Sequence, residues 1–166
     1  MLTKAMETIL NEQIEKEGYS SNLYLAMASY AESQGLTGIA KWLYSQSEEE
    51  RVHMLKFIHY VGERDCNVII PEFKKPPVEF GTVKELFEGV MKHEQYITAS
   101  INEIVGNSLD ERDFTTHTWI QWFVTEQIEE EASVKGILDK LALVGDKNMY
   151  MFDRDILAMR GSDTAE

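Results

Sequence analysis

All three prolines of this 166-residue chain lie between positions 71 and 77. Because proline disrupts the interior of a helix, long helices are confined to the segments before and after this stretch. Both segments are rich in Ala, Leu, Glu, Lys and Met, which favour helix formation. The chain is therefore predicted to be all-α, a single domain over residues 1–166 with one irregular connector.

Turn and capping residues divide this domain into four long helices and a short fifth one. Gly35 lies in the first turn, Thr82 and Glu85 form a capping box before the third helix, and Gly106 and Gly145 follow the third and fourth helices. We expect helices at about 3–33, 38–63, 82–106, 110–144 and 149–159.

The connector at residues 64–82 decides the topology. The second helix is about 37 Å long, and the connector can stretch to about 60 Å. It can therefore run the length of the bundle and start the third helix parallel to the second. Four helices with one long crossover, followed here by a short C-terminal helix, form a ferritin-like four-helix bundle.

Each long helix carries an apolar stripe at alternating steps of three and four residues, and polar residues interrupt each stripe near its middle. In an antiparallel pair, residues equally far from the turn lie side by side. Glu17 and His53 are equally far from Gly35, and Glu94 and Gln127 nearly so from Asp110, where the second turn is expected. One polar layer is therefore predicted, formed by Glu17, Glu50, His53, Glu94, Gln127 and Glu130.

Four buried carboxylates in one layer are unfavourable unless they are protonated or neutralised, since each buried ion costs about several kcal/mol. No lysine or arginine lies on the stripes, so cations are the alternative to protonation. Two divalent ions would balance four carboxylates, and this ligand set suits iron or manganese, with zinc as a competitor. Glu50 lies between the two helix pairs and is predicted to bridge the ions.

Charge and cysteine content limit the partners. The net charge of −13 disfavours nucleic acid and anionic membranes but is compatible with cation binding. The single Cys66 cannot form an internal disulfide, and neither a signal peptide nor an apolar stretch of membrane-spanning length is evident. We expect a cytoplasmic protein. Near the layer, Tyr24 is either a core residue or a hydrogen-bond partner or electron donor for the site, and Trp122 is expected in the core.

The chain resembles bacterial non-heme ferritins over nearly its full length. The matching stretches are residues 11–17, 19–24, 49–53, 93–95 and 121–131. The resemblance implies a homo-oligomeric shell of twenty-four subunits that oxidises ferrous iron with O2 or H2O2 at an intrasubunit dinuclear centre and stores ferric mineral.

The same resemblance implies the site residues. Glu17, Glu50 and His53 match the first iron site, and Glu50, Glu94 and Glu130 match the second. Gln127 matches a residue beside the centre, and Tyr24 and Trp122 match aromatic residues near it. A third, inner iron site is matched by Glu49, Glu126, Glu129 and Glu130.

The chain departs from two motifs of related proteins, and each departure predicts a property of the centre. The general di-iron motif repeats Glu-x-x-His, but Gln127 and Glu130 occupy the second copy here, so the centre is asymmetric and iron is expected to pass through it. Heme-binding relatives use a methionine in the segment around Glu50; Arg51 follows Glu50 here, and no heme is expected.

Three other functions fit parts of the sequence. A di-iron oxidase or peroxidase would need a substrate pocket and would form no shell. A DNA-protecting mini-ferritin has its iron site between subunits, which the complete ligand set within this chain disfavours. A non-catalytic helical bundle would bind no stoichiometric metal.

Overall fold

The computed structural model describes residues 2–159 and consists of four long helices and a short fifth one. They are α1 (Lys4–Ser33), α2 (Thr37–Glu63), α3 (Val83–Asp110), α4 (Phe114–Val144) and α5 (Met149–Asp155), with 3-10 turns at Asp146–Asn148 and Ile156–Met159. The predicted all-α, ferritin-like four-helix bundle is confirmed. Within the described range, no helix combines the length and apolar content that crossing a bilayer requires.

The first three helices end at a residue in the left-handed conformation. Gly35 has a φ of 78° after α1, and Asp65 and Arg112 each have a φ of 57° after α2 and α3. Glycine adopts this conformation without strain, whereas other residues rarely do. Of these three helix ends, only that of α1 therefore carries the glycine that marks such a stop in a sequence.

The end of α3 differs from its predicted position for this reason. The Arg112 N–H donates to the carbonyl of Leu109, and the Asp113 N–H donates to that of Ser108 at 2.8 Å. These paired bonds form a Schellman motif. The helix thus continues through Asp110, beyond the predicted end near 106, and Asp113 is the N-cap of α4.

The connector between α2 and α3 runs along α1. The Ile69 N–H donates to the Asn11 side chain at 2.7 Å, and further along, the Phe73 ring lies against Gly18. Near the end of the connector, the Tyr30 hydroxyl donates to the backbone carbonyl of Gly81 at 2.9 Å. The connector therefore returns to the end of the bundle where α2 began, and α3 starts parallel to α2.

The fifth helix caps the second. The Asp153 carboxylate accepts from the backbone N–H groups of Gly38 and Ile39 at 3.1 and 2.8 Å. The N-cap residue of α2, Leu36, contributes no side-chain bond of its own. A Cβ atom on Gly38 would lie 1.7 Å from the Asp153 carbonyl oxygen, so this close approach requires glycine.

The bundle contains two apolar clusters with a polar layer between them. One cluster surrounds Trp42 and Phe87 and includes residues of α5, and the other surrounds Phe57 and Phe123. Apolar burial above and below the layer supplies the stability that the layer itself lacks. The layer consists of the interrupting residues predicted from the stripes.

Candidate metal centre

The polar layer is buried within the bundle. Each interrupting residue is at most 6% exposed, the group being Glu17, Glu50, His53, Glu94, Gln127 and Glu130. Among residues 2–159, no lysine or arginine forms an ion pair with a carboxylate of this layer. The negative charge of these side chains is therefore not neutralised by protein cations.

The half of the layer on α1 and α2 can hold a metal ion. One ligand atom from each of Glu17, Glu50 and His53 lies within 4.8 Å of the others. His53 Nδ1 lies 3.4 Å from Glu50 Oε2. Oε2 of Glu17 and Oε2 of Glu50 are buried and accept no hydrogen bond. Buried oxygens without donors are costly, and a bound cation would satisfy both.

The half on α3 and α4 is held by neutral donors. The Tyr24 hydroxyl donates to Glu94 Oε1, and Gln127 Nε2 donates to Glu94 Oε2 at 3.1 Å. Gln46 Nε2 donates to Glu130 Oε2 at 2.9 Å. The second half is therefore oriented by the protein itself, while in the first half Oε2 of Glu17 and Oε2 of Glu50 accept no hydrogen bond.

Burial is the main influence on the acidity of the layer. It raises the pKa of Glu17, Glu50 and Glu130 well above the usual range for a carboxyl, and neighbouring carboxylates raise each pKa further. Burial also raises the pKa of Glu94, but the hydrogen bonds from Tyr24 and Gln127 oppose that rise. Without a cation, the layer therefore favours protonation.

Burial and the charge of Glu94 raise the pKa of Tyr24 well above its usual value. Tyr24 therefore keeps its proton and acts as a hydrogen-bond donor to Glu94. Its predicted position beside the site agrees with this contact, whereas a role as electron donor stays a prediction.

A second acidic group adjoins the first half. Ligand atoms of Glu49, His53 and Glu126 also lie within 4.8 Å of one another, with both carboxylates half-buried. Of the residues predicted for a third site, Glu129 is not part of this group and lies exposed on α4. Its charge nevertheless contributes to raising the pKa of Glu126, after burial as the main cause.

Trp122 is not a core residue, contrary to the sequence-based expectation. Trp122 is 41% exposed, although its ring packs at a steep angle against the His53 imidazole with centroids 5.5 Å apart. The ammonium of Lys56 lies 3.7 Å from the indole centroid. Trp122 therefore covers one side of the buried His53 imidazole, while part of the indole itself is exposed to solvent.

The sequence analysis missed two amides that contact layer carboxylates. Gln13 Nε2 donates to Glu17 Oε1 at 2.7 Å, and Gln46 donates to Glu130 as described. Gln13 lies one helical turn before Glu17, so the spacing offered a signal for that contact. Gln46 crosses to a different helix, and no local pattern indicates its partner.

A four-helix bundle with one long crossover and a buried layer of carboxylates and imidazole defines a ferritin-like protein. The chain belongs to the ferritin family: the family described as "Ferritin-like domain" matches residues 7–144.

Individual relatives agree with this assignment. The chain is 41% identical to the bacterial non-heme ferritin of Campylobacter jejuni, over 94% of this chain and 95% of that protein. It is 39% identical to a probable bacterial non-heme ferritin-like protein of Haemophilus influenzae, over 94% and 96%. Among solved structures, the open pore ferritin of Archaeoglobus fulgidus superposes with a TM-score of 0.91 at 39% identity, covering 93% of this chain and 96% of that one.

Proposed function

We propose that this protein is an iron-storage ferritin that oxidises Fe(II) at a dinuclear centre within each chain. The product is stored as ferric oxyhydroxide mineral inside a shell of identical chains. The observation that carries the proposal is the pair of buried oxygens, Oε2 of Glu17 and Oε2 of Glu50, that no protein donor satisfies beside the His53 imidazole. Membership of the ferritin family supports iron as the cation that fills this need.

The two halves of the layer take one ferrous ion each in this proposal. Glu17 and His53 bind the first ion, Glu94 and Glu130 bind the second, and Glu50 bridges them. The bridging role is supported by the charges of Glu94 and Glu130, which act on the Glu50 carboxyl across the bundle. Tyr24 and Gln127 hold Glu94 in place rather than binding iron themselves.

The reaction is a two-electron oxidation of the substrate pair. Each ferrous ion gives one electron, and together they reduce O2, which takes up two protons to form H2O2. With H2O2 as the oxidant, the O–O bond breaks and water forms. Anionic ligands favour the ferric product through their charge. Hydrolysis of that product to mineral releases protons, so the solution acidifies during loading.

The asymmetry of the centre favours release of the product. Only the His53 imidazole serves the pair, because the second half offers the carboxylates of Glu94 and Glu130 alone and Gln127 donates to Glu94. Weak retention lets ferric iron move on towards the mineral. Glu49 and Glu126, with Glu129 and Glu130 nearby, form a third iron site on that route.

We infer the remaining properties from the family and the composition. The protein assembles as a shell of twenty-four identical chains in the cytoplasm, contains no heme, and binds neither nucleic acid nor membrane. The net charge of −13 supports the last two points.

Crystals soaked anaerobically in ferrous salt test the proposal directly. Anomalous scattering at the iron edge is expected at two positions between the six layer residues. Absence of scattering at these two positions contradicts the dinuclear centre, whereas an additional peak beside Glu49 and Glu126 is expected for the third site. A sizing column and mineral loading then separate storage from plain oxidation: a small oligomer that oxidises iron without retaining it is an oxidase, and a bundle without stoichiometric iron is a scaffold.

A further inference from the structure

A chain of hydrogen bonds leads from a surface lysine to the first half of the centre. Lys16 Nζ donates to Ser100 Oγ at 2.7 Å, and Ser100 Oγ donates to Gln13 Oε1. Gln13 Nε2 donates in turn to Glu17 Oε1 at 2.7 Å. Gln13 is fully buried and Ser100 is 6% exposed, so water does not compete for the inner bonds.

The lysine imposes one direction on this chain. An ammonium group only donates, so the Ser100 oxygen accepts from Lys16 and its single proton is directed to Gln13. The Gln13 carbonyl must then face Ser100, which turns the amide N–H group towards Glu17. The Lys16 ammonium is further confined by the Tyr96 ring, 5.9 Å from its centroid.

The result at Glu17 is a carboxylate held by one oxygen only. Oε1 accepts from Gln13, while the buried Oε2 accepts from no protein donor. Glu94 differs, because donors reach both of its oxygens. A carboxylate fixed in this way presents a single, oriented oxygen to a cation, which lowers the cost of ordering when the cation binds.

We propose that Lys16, Ser100 and Gln13 are positioning residues that orient Glu17 and so set the affinity of the first half of the centre for a divalent cation. This inference rests on the proposed function, since it concerns the same centre. It assigns a role in metal binding to a surface lysine whose ammonium donates to Ser100 rather than to a carboxylate of the layer.

The test measures binding of Co2+ to the metal-free, full-length protein by its visible absorption, which reports ligand geometry. The variants are Lys16→Met, Ser100→Ala and Gln13→Leu, with Lys41→Met as the control at an exposed lysine of α2. Gln13→Leu is expected to lower the affinity for one equivalent of Co2+ by about 10- to 100-fold. Lys16→Met and Ser100→Ala are expected to weaken it by about 3- to 10-fold, and Lys41→Met not at all.

Two further comparisons separate positioning from simple stability. If the residues act as a unit, the double variant Lys16→Met/Gln13→Leu binds Co2+ no worse than Gln13→Leu alone. Lys16→Arg and Ser100→Thr, which keep the cation and the hydroxyl, should restore both affinity and spectrum. In iron oxidation, the variants should need more Fe(II) for half-saturation but reach the same maximal rate.

The outcomes distinguish this inference from the proposed function. Wild-type protein that binds no Co2+ overturns both. Wild-type protein that binds Co2+ while all three single variants bind within twofold of it overturns only the positioning role. Fully additive effects in the double variant, or melting temperatures that fall in step with affinity, also overturn it.

Discussion

Both halves of the polar layer contain buried carboxylates, but the halves differ in how many carboxylate oxygens accept hydrogen bonds from the protein. On α1 and α2, Glu17 and Glu50 each keep a buried oxygen that no donor satisfies. On α3 and α4, both oxygens of Glu94 accept hydrogen bonds, and Glu130 accepts one from Gln46. The first half therefore gains most from a cation, and the second half is already ordered without one.

This difference suggests a division of labour. An unsatisfied carboxylate pair beside an imidazole favours tight binding, because the cation relieves a cost that the fold otherwise bears. Carboxylates that already have donors must share or exchange them when a metal ion arrives. In the proposed dinuclear centre, the first half is thus suited to capturing a cation, and the second to holding it briefly.

The largest effect is expected from the residue that both halves share. Glu50→Ala should slow Fe(II) oxidation by about 100-fold or more, since loss of a ligand exceeds the usual cost of losing a supporting group. Glu129→Ala, at an exposed glutamate, should change the rate by less than about threefold. Stopped-flow absorbance of ferric product measures both, and equal effects would contradict the assigned roles.

A smaller effect is expected where the second half loses one donor. Tyr24→Phe leaves Glu94 Oε1 without its hydroxyl partner and should slow oxidation by about 10-fold. Tyr44→Phe is the matched control, because the Tyr44 hydroxyl donates to Glu32 on the surface at 2.9 Å. If both variants oxidise iron at the wild-type rate, the second half does not depend on Tyr24 for its order.

Replacing a carboxylate of each half by its amide should change the free energy of unfolding in opposite directions. In metal-free protein at pH 8, Glu17→Gln removes a charge whose Oε2 has no donor and should stabilise the fold by about 1 kcal/mol. Glu94→Gln places an amide N–H against the donors of Tyr24 or Gln127 and should destabilise it by about 1 kcal/mol. Denaturant unfolding measures the stability of both variants. A change of the same sign in both would contradict the difference between the halves.

The smallest effect concerns pH. Folding raises the pKa of Glu17, Glu50 and Glu130, so the folded state binds more protons than the unfolded chain above the usual carboxyl pKa. Metal-free protein should therefore melt at a higher temperature at pH 5.5 than at pH 8. Zn2+ should reduce this dependence by replacing the protons, and Glu17→Gln should reduce it without metal. A melting temperature that rises with pH would contradict the assignment.

Much of the fold was predictable because it depends on periodic patterns. The interrupting residues lie on apolar stripes, and stripe spacing determines which side chains a bundle buries. Gly35 marked the end of α1 for the same local reason. After α2 and α3, Asp65 and Arg112 adopt the left-handed conformation instead of glycine. No glycine therefore marks these two ends, and the end of α3 was predicted too early.

The site was less predictable where it depends on contacts between helices. Gln46 on α2 donates a hydrogen bond to Glu130 on α4, and Ser100 on α3 donates one to Gln13 on α1. Spacing along one helix cannot indicate such pairs, since they follow from how the helices are rotated against each other. Trp122 illustrates the same point: it was expected in the core because it lies next to the apolar stripe of α4, but it is 41% exposed.

The contact between Asp153 and the start of α2 affects the order of events during synthesis. The two backbone N–H groups that Asp153 binds are about 115 residues earlier in the chain. While a ribosome is still translating the chain, α1 and α2 can pair, but the beginning of α2 stays uncapped until the fifth helix has emerged. A residue of the fifth helix therefore completes the cap of the second helix, which is synthesised more than a hundred residues earlier.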